Sequence, residues 1–453
     1  MLENQHVDRA LRAVFVGLAV GMAWGIRGDF GGVDGAMYPG AMLGLAFCYV
    51  SGQESVMRRM PVIALLSGLF IGLGGNTSYG ILHGYAKSDT LPNYSYGFLM
   101  LLFQGGCWGL FGGGAVGLAL DDRRPKLGEA LAVAAAVVVT GVLLEKFVTN
   151  VVRFEIDSRG NSLVPFMGGG AVFVAWLAAR KYAYGLRGAF FGFTGFGAGM
   201  FFGRFLSNGS EHFPWTMNNW NVMEVGCGLI GGFVFTWGMV GLPDRNDTPD
   251  SGTSPWALAG IIYAAAFIPL EHLAVHVKSA VAKPEWMKLL TEYGHADPAA
   301  TADRIYSLIS VVALCGVAVA GAWYWWHSGE HLKWAWIPAL GLSLIMLVFQ
   351  CLNALYFQYP DKPDFLDMHT VLWVMLALMA LYIALRTQHE PLDVDDEDEW
   401  GSAALGWGAG LLALLVITVI AAGSVNGEKT MRSAEMKWPQ WSFRDGPPPA
   451  NRK

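Results

Sequence analysis

Charge is the scarcest feature of this sequence. Only 15% of its 453 residues are charged, whereas soluble domains average about a quarter. The apolar runs reach about 20 residues, which is longer than a typical core helix and long enough to cross a bilayer. These two properties exclude an ordinary soluble enzyme and predict a polytopic integral membrane protein. The alternating pattern of a membrane β-barrel is also absent from the sequence, so the expected fold class is all-α.

The sequence also lacks the motifs of common catalytic and nucleotide-binding sites. It contains no P-loop, dinucleotide fingerprint, zinc-protease motif or serine elbow, which excludes ATP-driven transport by this chain alone and most familiar hydrolases. A cleavable signal pattern is absent, so we expect a retained first span. The five cysteines all fall within apolar runs, without the spacing of a metal site or a loop disulfide. We therefore predict no cofactor and no metal.

About 13 apolar runs of membrane-spanning length cover the chain. We expect four parts: an eight-helix membrane core over 1–242, a linker loop at 243–254, a five-helix membrane part over 255–423, and a polar tail bearing Trp and Pro over 424–453. The predicted spans lie at roughly 10–26, 36–51, 61–83, 97–120, 128–149, 163–179, 186–206, 220–241, 255–277, 304–326, 333–357, 366–386 and 402–423.

Basic residues predict the orientation of the first half. Arg9 and Arg12 precede the first span, and short basic loops such as Arg58-Arg59 and Arg180-Lys181 follow later even-numbered spans. By the positive-inside rule, these loops and the N-terminus face the cytoplasm. The expected location is the bacterial inner (plasma) membrane. For the last five spans, counting the spans and applying the positive-inside rule assign the loops to opposite sides of the membrane. The topology of this part therefore stays open.

A glycine-rich hairpin at 17–44 is the pattern around which the chain is organised. The segment 17–21 resembles 68–72 and 188–192, and 109–113 resembles 228–232. Gly68 and Gly188 are 120 residues apart and Gly109 and Gly228 are 119 apart. This nearly constant offset predicts an internal repeat of parallel hairpins within the first eight spans.

These glycines have two interpretations. Glycine spaced at i and i+4 allows two helix backbones to approach closely in lipid, which would be a packing role. Alternatively, some glycines break helices within the membrane and expose backbone groups to a substrate, as in many transporters. Gly74-Gly75 and Gly112 to Gly114 are the candidates for such breaks.

Two arginines are the first candidate site residues, because charge beside a membrane span is costly and commonly functional. Arg27 and Arg204 lie at the outer ends of similar glycine-rich helices. We expect them to converge on one anionic group, since guanidinium binds a carboxylate or phosphate through two hydrogen bonds. The alternatives are that Arg27 pairs with Asp29 or Asp34, or that the arginines extend to lipid headgroups.

Polar and aromatic residues at the same outer side extend the candidate solute site. Amides bind hydroxyl groups and an indole stacks on an apolar sugar face, although an interfacial aromatic belt with solvated amides would give the same pattern. The candidate solute-binding residues are Arg27, Asp29, Asn76, Tyr79, His83, Arg204, Asn218, Asn219 and Glu224.

The ninth span ends in a second group of titratable residues. Glu271 and His272 are candidates for proton coupling. His272 and His276 share a helical face, which is compatible with a metal, but no third ligand lies nearby in the sequence. A solvated interfacial pair is the alternative.

These features favour a transporter or channel-like protein for a small polar or anionic solute, bound on the outward side of the core. The alternatives are a membrane enzyme acting at the outer leaflet on a lipid-linked or glycan substrate, with Asp367 and His369 as further acid–base candidates, and a non-catalytic subunit of a larger complex. The expected partners are the bilayer, the solute, and further copies of the chain or membrane partner subunits. The net charge of −6 gives no indication of nucleic-acid binding.

Overall fold

The computed structural model is helical throughout the part of the chain that it describes. The described secondary structure contains α-helices and short π- and 3₁₀-helical segments, without a strand in those ranges. The all-α expectation is confirmed for this part of the chain. The described residues are 2–27, 33–74, 80–87, 91–121, 123, 125–152, 163–210, 219–243, 255–272, 284–301, 304, 334–353 and 366–392.

The helices follow the apolar runs closely. A π-helical segment, Phe147–Val152, continues α7, and another, Tyr263–Phe267, continues α11. The helices are α1 Leu2–Arg27, α2 Val33–Ser51, α3 Glu54–Arg58, α4 Met60–Gly74, α5 Gly80–Tyr85, α6 Leu91–Leu120, α7 Leu127–Lys146, α8 Leu163–Arg180, α9 Ala183–Ser210, α10 Asn219–Met239, α11 Pro255–Ile262, α12 Pro284–Glu292, α13 Ile337–Asn353 and α14 Leu366–Leu385.

Several helices have the length and composition needed to cross a membrane. Six helical segments meet both criteria within the described residues, and they include α1, α6, α9 and α10. Three shorter apolar helices correspond to α4, α13 and α14. The described chain is therefore an all-α protein with membrane-length helices. Most of the predicted span 304–326 and all of 402–423 lie outside the described residues.

Six helices form a closed ring. Going round it, α1 packs against α2, α2 against α4, α4 against α6, α6 against α9, α9 against α10, and α10 against α1 again. We call this arrangement the six-helix ring. In chain order its members form three hairpins, α1–α2, α4–α6 and α9–α10. Large buried aromatic side chains such as Trp24, Trp108 and Phe196 belong to its core. The α7–α8 hairpin, which the sequence grouped with the core, packs mainly on itself.

Glycines bring neighbouring helices of the ring into backbone contact. A Cβ atom added to Gly109 on α6 would lie 1.9 Å from the carbonyl oxygen of Gly192 on α9. Likewise, a Cβ at Gly228 on α10 would lie 2.4 Å from the Val20 carbonyl on α1, and one at Gly40 on α2 would lie 2.6 Å from the Ser67 carbonyl on α4. Only glycine permits such contacts, so the packing interpretation holds at these positions.

Helix α6 tests one of the predicted breaks. It runs without interruption from Leu91 to Leu120, through Gly112, Gly113 and Gly114. The alternative interpretation of these three glycines, a helix break, is therefore wrong. A Cβ at Gly113 would lie 2.2 Å from the Gly188 carbonyl on α9, so close packing explains this glycine. The other predicted break, at Gly74-Gly75, borders residues 75–79, which lie outside the described residues.

Three buried arginines stand at one end of the ring. Arg12 on α1 donates to the Val50 carbonyl near the end of α2 at 2.8 Å, and Arg187 on α9 donates to the Gly238 carbonyl near the end of α10 at 2.8 Å. Arg59, just before α4, donates to the Ala119 carbonyl near the end of α6. Carbonyls in the last turn of a helix lack helical partners and carry partial negative charge, so a guanidinium there is favourable. We call this end the arginine end.

The segment 386–392 lies against the same end. The Arg386 guanidinium pairs with Asp8, which also accepts from Arg12 at 2.7 Å. Arg12 donates in addition to the Glu390 carbonyl at 2.6 Å, and the Tyr49 hydroxyl donates to the Arg386 carbonyl at 2.5 Å. The chain after α14 is therefore bound directly to the first hairpin.

The remaining helices cover the outside of the ring. Helix α11 packs against α4, where a Cβ at Gly260 would lie 2.1 Å from the Pro61 carbonyl. Helix α14 packs against α1, with the Met375 side chain 3.0 Å from a Cβ built at Gly21. In the helix at 128–152, in contrast, only 6% of the most apolar window is buried inside the protein. Helix α7 therefore presents its side chains outward, as a lipid-facing helix does.

Candidate functional site

A buried ion pair joins two helices of the ring at the end opposite the arginine end. Arg27 ends α1 and Glu224 lies in the second turn of α10. The Arg27 Nε atom lies 3.8 Å from Glu224 Oε1, and both side chains are buried. Next to them, the Asn221 amide donates to the Gly25 carbonyl at 3.3 Å. Antiparallel packing of α1 on α10 thus places the last turn of one helix against the first turns of the other.

A second buried arginine lies at the same end. Arg204, near the end of α9, donates to the Ser207 hydroxyl at 3.0 Å. Its charge also acts electrostatically on the buried imidazole of His83 in α5. The His83 ring in turn contacts Trp220 edge-on, with centroids 4.8 Å apart, and Trp220 lies one turn before Glu224 on α10. The contact between His83 and Trp220 therefore joins α5 to the turn of α10 that precedes Glu224.

We call Arg27, His83, Arg204, Asn221 and Glu224 the arginine–glutamate cluster. All five side chains are buried, and they come from α1, α5, α9 and α10. Four of them are predicted site residues, so the fold brings together candidates that are far apart in the sequence. The acid in contact with Arg27 is on another hairpin, whereas the sequence offered the nearby Asp29 and Asp34 as alternatives; the side chains of both lie outside the described part.

An aromatic layer lies directly beside the cluster. Trp24 and Trp108 stack with centroids 5.3 Å apart, and Trp24 also contacts Phe196 at 5.6 Å. The Arg27 guanidinium carbon lies 5.9 Å from the Trp24 centroid and 6.0 Å from the Trp108 centroid, within cation–π range. The layer connects α1, α6 and α9, which carry its three side chains. Trp108 fits there because Gly74 lacks a side chain: a Cβ on Gly74 would lie 2.0 Å from the indole.

The indole nitrogen of Trp24 is a buried donor. The side chain has no exposed surface, and Nε1 donates to no acceptor in the described part of the protein. A buried donor without an acceptor costs about 1–3 kcal/mol. Trp24 lies one turn before Arg27 on α1, so this donor and the guanidinium belong to one face of the helix. An acceptor supplied by a ligand or by water would satisfy it.

The remaining predicted residues fall outside what the structure describes. Asp29, Asn76, Tyr79 and Asn218 lie outside the described residues, and Asn219 begins α10 with its side chain undescribed. Three residues at this end of the ring were not predicted from the sequence: Trp24, Trp108 and Asn221. For Trp24 and Asn221 a clue existed, because each lies three residues from a predicted charged residue and therefore on the same helical face.

The predicted proton-coupling pair forms a direct contact on the helix that packs against α4. His272 Nδ1 lies 3.3 Å from Glu271 Oε2 and 2.8 Å from the Ile268 carbonyl oxygen. The imidazole is fully buried and meets the Tyr38 ring of α2 edge-on at 6.0 Å. Among the described residues, no group of three or more His, Cys, Asp or Glu is arranged to hold a metal ion.

Comparison with protein-family models, with curated proteins and with solved structures found no match for this chain.

Proposed function

We propose that this chain is a multi-pass membrane transporter or channel-like protein for a small polar or anionic solute. The observation that carries the proposal is the burial of Arg27, Arg204 and Glu224 together at one end of a helical ring. Ionisable groups inside a membrane protein are expensive and typically line a substrate or ion path. The guanidinium groups are suited to a carboxylate or phosphate, because their fixed fork of donors matches the acceptor geometry.

The proposed path runs along the axis of the six-helix ring. A solute would enter at the arginine–glutamate cluster and meet the aromatic layer of Trp24, Trp108 and Phe196. Because the three side chains are buried and Trp24 contacts both of the others, we propose that they close the path in this conformation. Passage then requires movement of the helices that carry them, which is the usual requirement of alternating access.

The packing within the ring favours one particular movement. Backbone contacts at glycine join α1 to α10, α10 to α9 and α9 to α6, and another set joins α2 to α4. The contact between α4 and α6 is different, because glycines on these helices meet side chains of the partner helix and not its backbone. Gly112 on α6, for example, meets the side chain of Ile71 on α4. We propose that α2 and α4 move as a pair against the four other helices. The boundaries of this pair are α1–α2 and α4–α6. At the arginine end, the hydrogen bonds of Arg12 and Arg59 cross these two boundaries and would break if the ring opened at that end.

Glu271 and His272 are the proposed proton-coupling residues. They lie at the end of the helix that begins with α11, which packs against α4, and His272 contacts Tyr38 on α2. Protonation would therefore change the charge next to the proposed mobile pair. Replacing Glu271 with Gln is expected to remove a pH dependence of transport while the solute still binds at the arginine–glutamate cluster.

The three hairpins of the ring are proposed to be copies of one unit. In each, a buried arginine donates to a carbonyl in the last turn of the second helix, and this arginine lies just before the first helix or in its first half. The three residues are Arg12, Arg59 and Arg187. The helix pairs α10–α1, α2–α4 and α6–α9 also share antiparallel contacts at glycines spaced by four residues. These equivalent contacts support the repeat that the sequence offsets predict.

Ligand-dependent thermal stabilisation of the purified protein tests the site. Anions, sugars and soluble lipid headgroups would be compared on the wild type, Arg27→Gln and Arg204→Gln, with Arg58→Gln as the control because Arg58 is exposed. A ligand at a hundredfold excess over its dissociation constant stabilises by about 2.7 kcal/mol. We expect one ligand class to raise the melting temperature of the wild type and the control only. Shifts that both cluster variants retain would refute the site.

A further inference from the structure

We infer that the arginine–glutamate cluster selects an organic monocarboxylate with an apolar or aromatic body. This inference rests on the proposed function, because it names the class of solute that the proposed site would take. It depends on three features: the donors that face the site, the charge of Glu224, and the aromatic layer.

The donors favour a ligand group that only accepts hydrogen bonds. Trp24 Nε1 and the Arg27 guanidinium lie one turn apart on α1, and both can only donate. The indole donor is fully buried and donates to no acceptor in the described ranges. An amide or a hydroxyl would bring donors of its own to this position, whereas a carboxylate brings acceptors alone. The charge on the carboxylate also makes each hydrogen bond stronger than a neutral one.

Glu224 limits the charge of the ligand. Its carboxylate lies 3.8 Å from Arg27 Nε, so part of the positive charge of the cluster is already compensated. A second negative charge on the ligand would be repelled in this buried site, where electrostatic interactions are weakly screened. A singly charged anion is therefore favoured over phosphate or sulfate in their doubly charged forms.

The aromatic layer favours an apolar body on the ligand. Trp24, Trp108 and Phe196 pack against one another next to the cluster. A flat or apolar group behind the carboxylate would contact these rings by stacking or edge-on packing, which contributes beyond the buried area alone. A small inorganic anion or a sugar would leave this surface without a matching partner.

Tryptophan-fluorescence titration of the purified protein tests the inference. The probes are benzoate, its uncharged isostere benzamide, acetate, and inorganic phosphate. We expect benzoate to bind at least tenfold more tightly than each of the other three. Trp24→Phe keeps an aromatic ring but removes the donor, so we expect it to weaken benzoate about tenfold. Trp256→Phe is the matched control, because Trp256 is 61% exposed on α11, and it should bind as the wild type does.

Equal binding of benzoate and benzamide by the wild type would overturn the inference, and this comparison needs no variant. Benzoate binding that Trp24→Phe leaves unchanged would also overturn it. If phosphate binds in a manner that requires Arg27 and Arg204 while benzoate does not bind, the inference is wrong and the proposed anion site stands. If none of these probes, sugars or headgroups binds, the inference and the proposed site both fail.

Discussion

Arg27 and Glu224 face each other across two antiparallel helices at a distance of 3.8 Å, with both side chains buried. This distance, measured from Nε to Oε1, is longer than a normal hydrogen bond. The two groups therefore compensate each other's charge without a tight hydrogen bond between these two atoms. Buried ion pairs seldom increase stability over an apolar pair of the same volume. Stability alone therefore gives no reason for this buried pair, which is consistent with the proposed role in solute binding.

Removing one member of the pair should be more harmful than removing both. Glu224→Met removes the carboxylate that lies 3.8 Å from Nε of the buried Arg27, and we expect this variant and Arg27→Met each to lose about 3 kcal/mol in the free energy of unfolding. The double variant Arg27→Met with Glu224→Met should recover most of that loss. Denaturant unfolding in detergent, analysed as a double-mutant cycle, measures the coupling. A double variant that shows the sum of the two single losses would contradict the pairing.

A methyl group at the α6–α9 contact should separate the two helices. Alanine at Gly109 places its Cβ 1.9 Å from a backbone oxygen, which cannot rotate away. We expect a loss of about 1–3 kcal/mol, as for overpacking in a core. Gly128→Ala is the control, since nothing lies within 4 Å of its Cβ; it should stabilise by about 0.4–1 kcal/mol. Equal effects of the two substitutions on thermal unfolding would argue against the contact.

Two adjacent arginines should differ sharply in importance. Arg59 is buried and donates to the Ala119 carbonyl at the end of α6, whereas Arg58 is exposed and pairs with Glu54. We expect Arg59→Gln to cost about 2 kcal/mol, because a charge-assisted hydrogen bond in a buried place is lost. Arg58→Gln should change the stability by less than about 0.5 kcal/mol. Thermal unfolding of both variants in one series compares two neighbouring arginines directly. Similar losses of stability for the two variants would contradict the difference in their roles.

The stability of the protein should fall as the pH is lowered through the range set by His389. Burial, together with the positive charges of Arg12 and Arg386, lowers the pKa of His389 to about 3. Unfolding restores the ordinary pKa near 6.5, so between about pH 6.5 and 3 the unfolded state binds more protons and stability rises with pH. At pH 5 the loss attributable to His389 is about 2 kcal/mol.

The difference between the pH profiles of the wild type and His389→Gln isolates this contribution from that of nearby Asp8. His295→Gln, on an exposed loop, should leave the wild-type profile unchanged. If wild type and His389→Gln lose stability in parallel between pH 6.5 and 5, His389 is not the responsible group.

The fold class and the extent of several helices were predictable, because each crossing needs about 20 apolar residues and leaves that run in the sequence. The predicted span 220–241 is α10, Asn219–Met239, and the predicted span 186–206 lies within α9, Ala183–Ser210. The ring order was not predictable. In lipid the outside of a helix is as apolar as its packed face, so hydrophobic periodicity does not show which helices meet.

The same limit applies to the site. Arg27 and Glu224 were both recognisable as costly charges, but nothing in the sequence pairs a residue at the end of α1 with one in α10. Arg12 and Arg59 were recognisable as part of the basic segments that predict the orientation, and Arg187 lies at the start of the predicted span 186–206. Their burial and their bonds to helix carbonyls depend on how the hairpins close, which only the tertiary structure shows.

Solute flux in proteoliposomes tests whether this protein transports an anion through the arginine–glutamate cluster. The purified protein would be reconstituted and loaded with unlabelled benzoate or phosphate, and the entry of the same labelled anion by counterflow would be measured. We expect the wild type and Arg58→Gln to exchange at least one of the two anions well above empty liposomes. Arg27→Gln and Arg204→Gln should lose this exchange. Flux that both cluster variants retain, or an absence of flux for an anion that binds to the wild type, would contradict transport through the arginine–glutamate cluster.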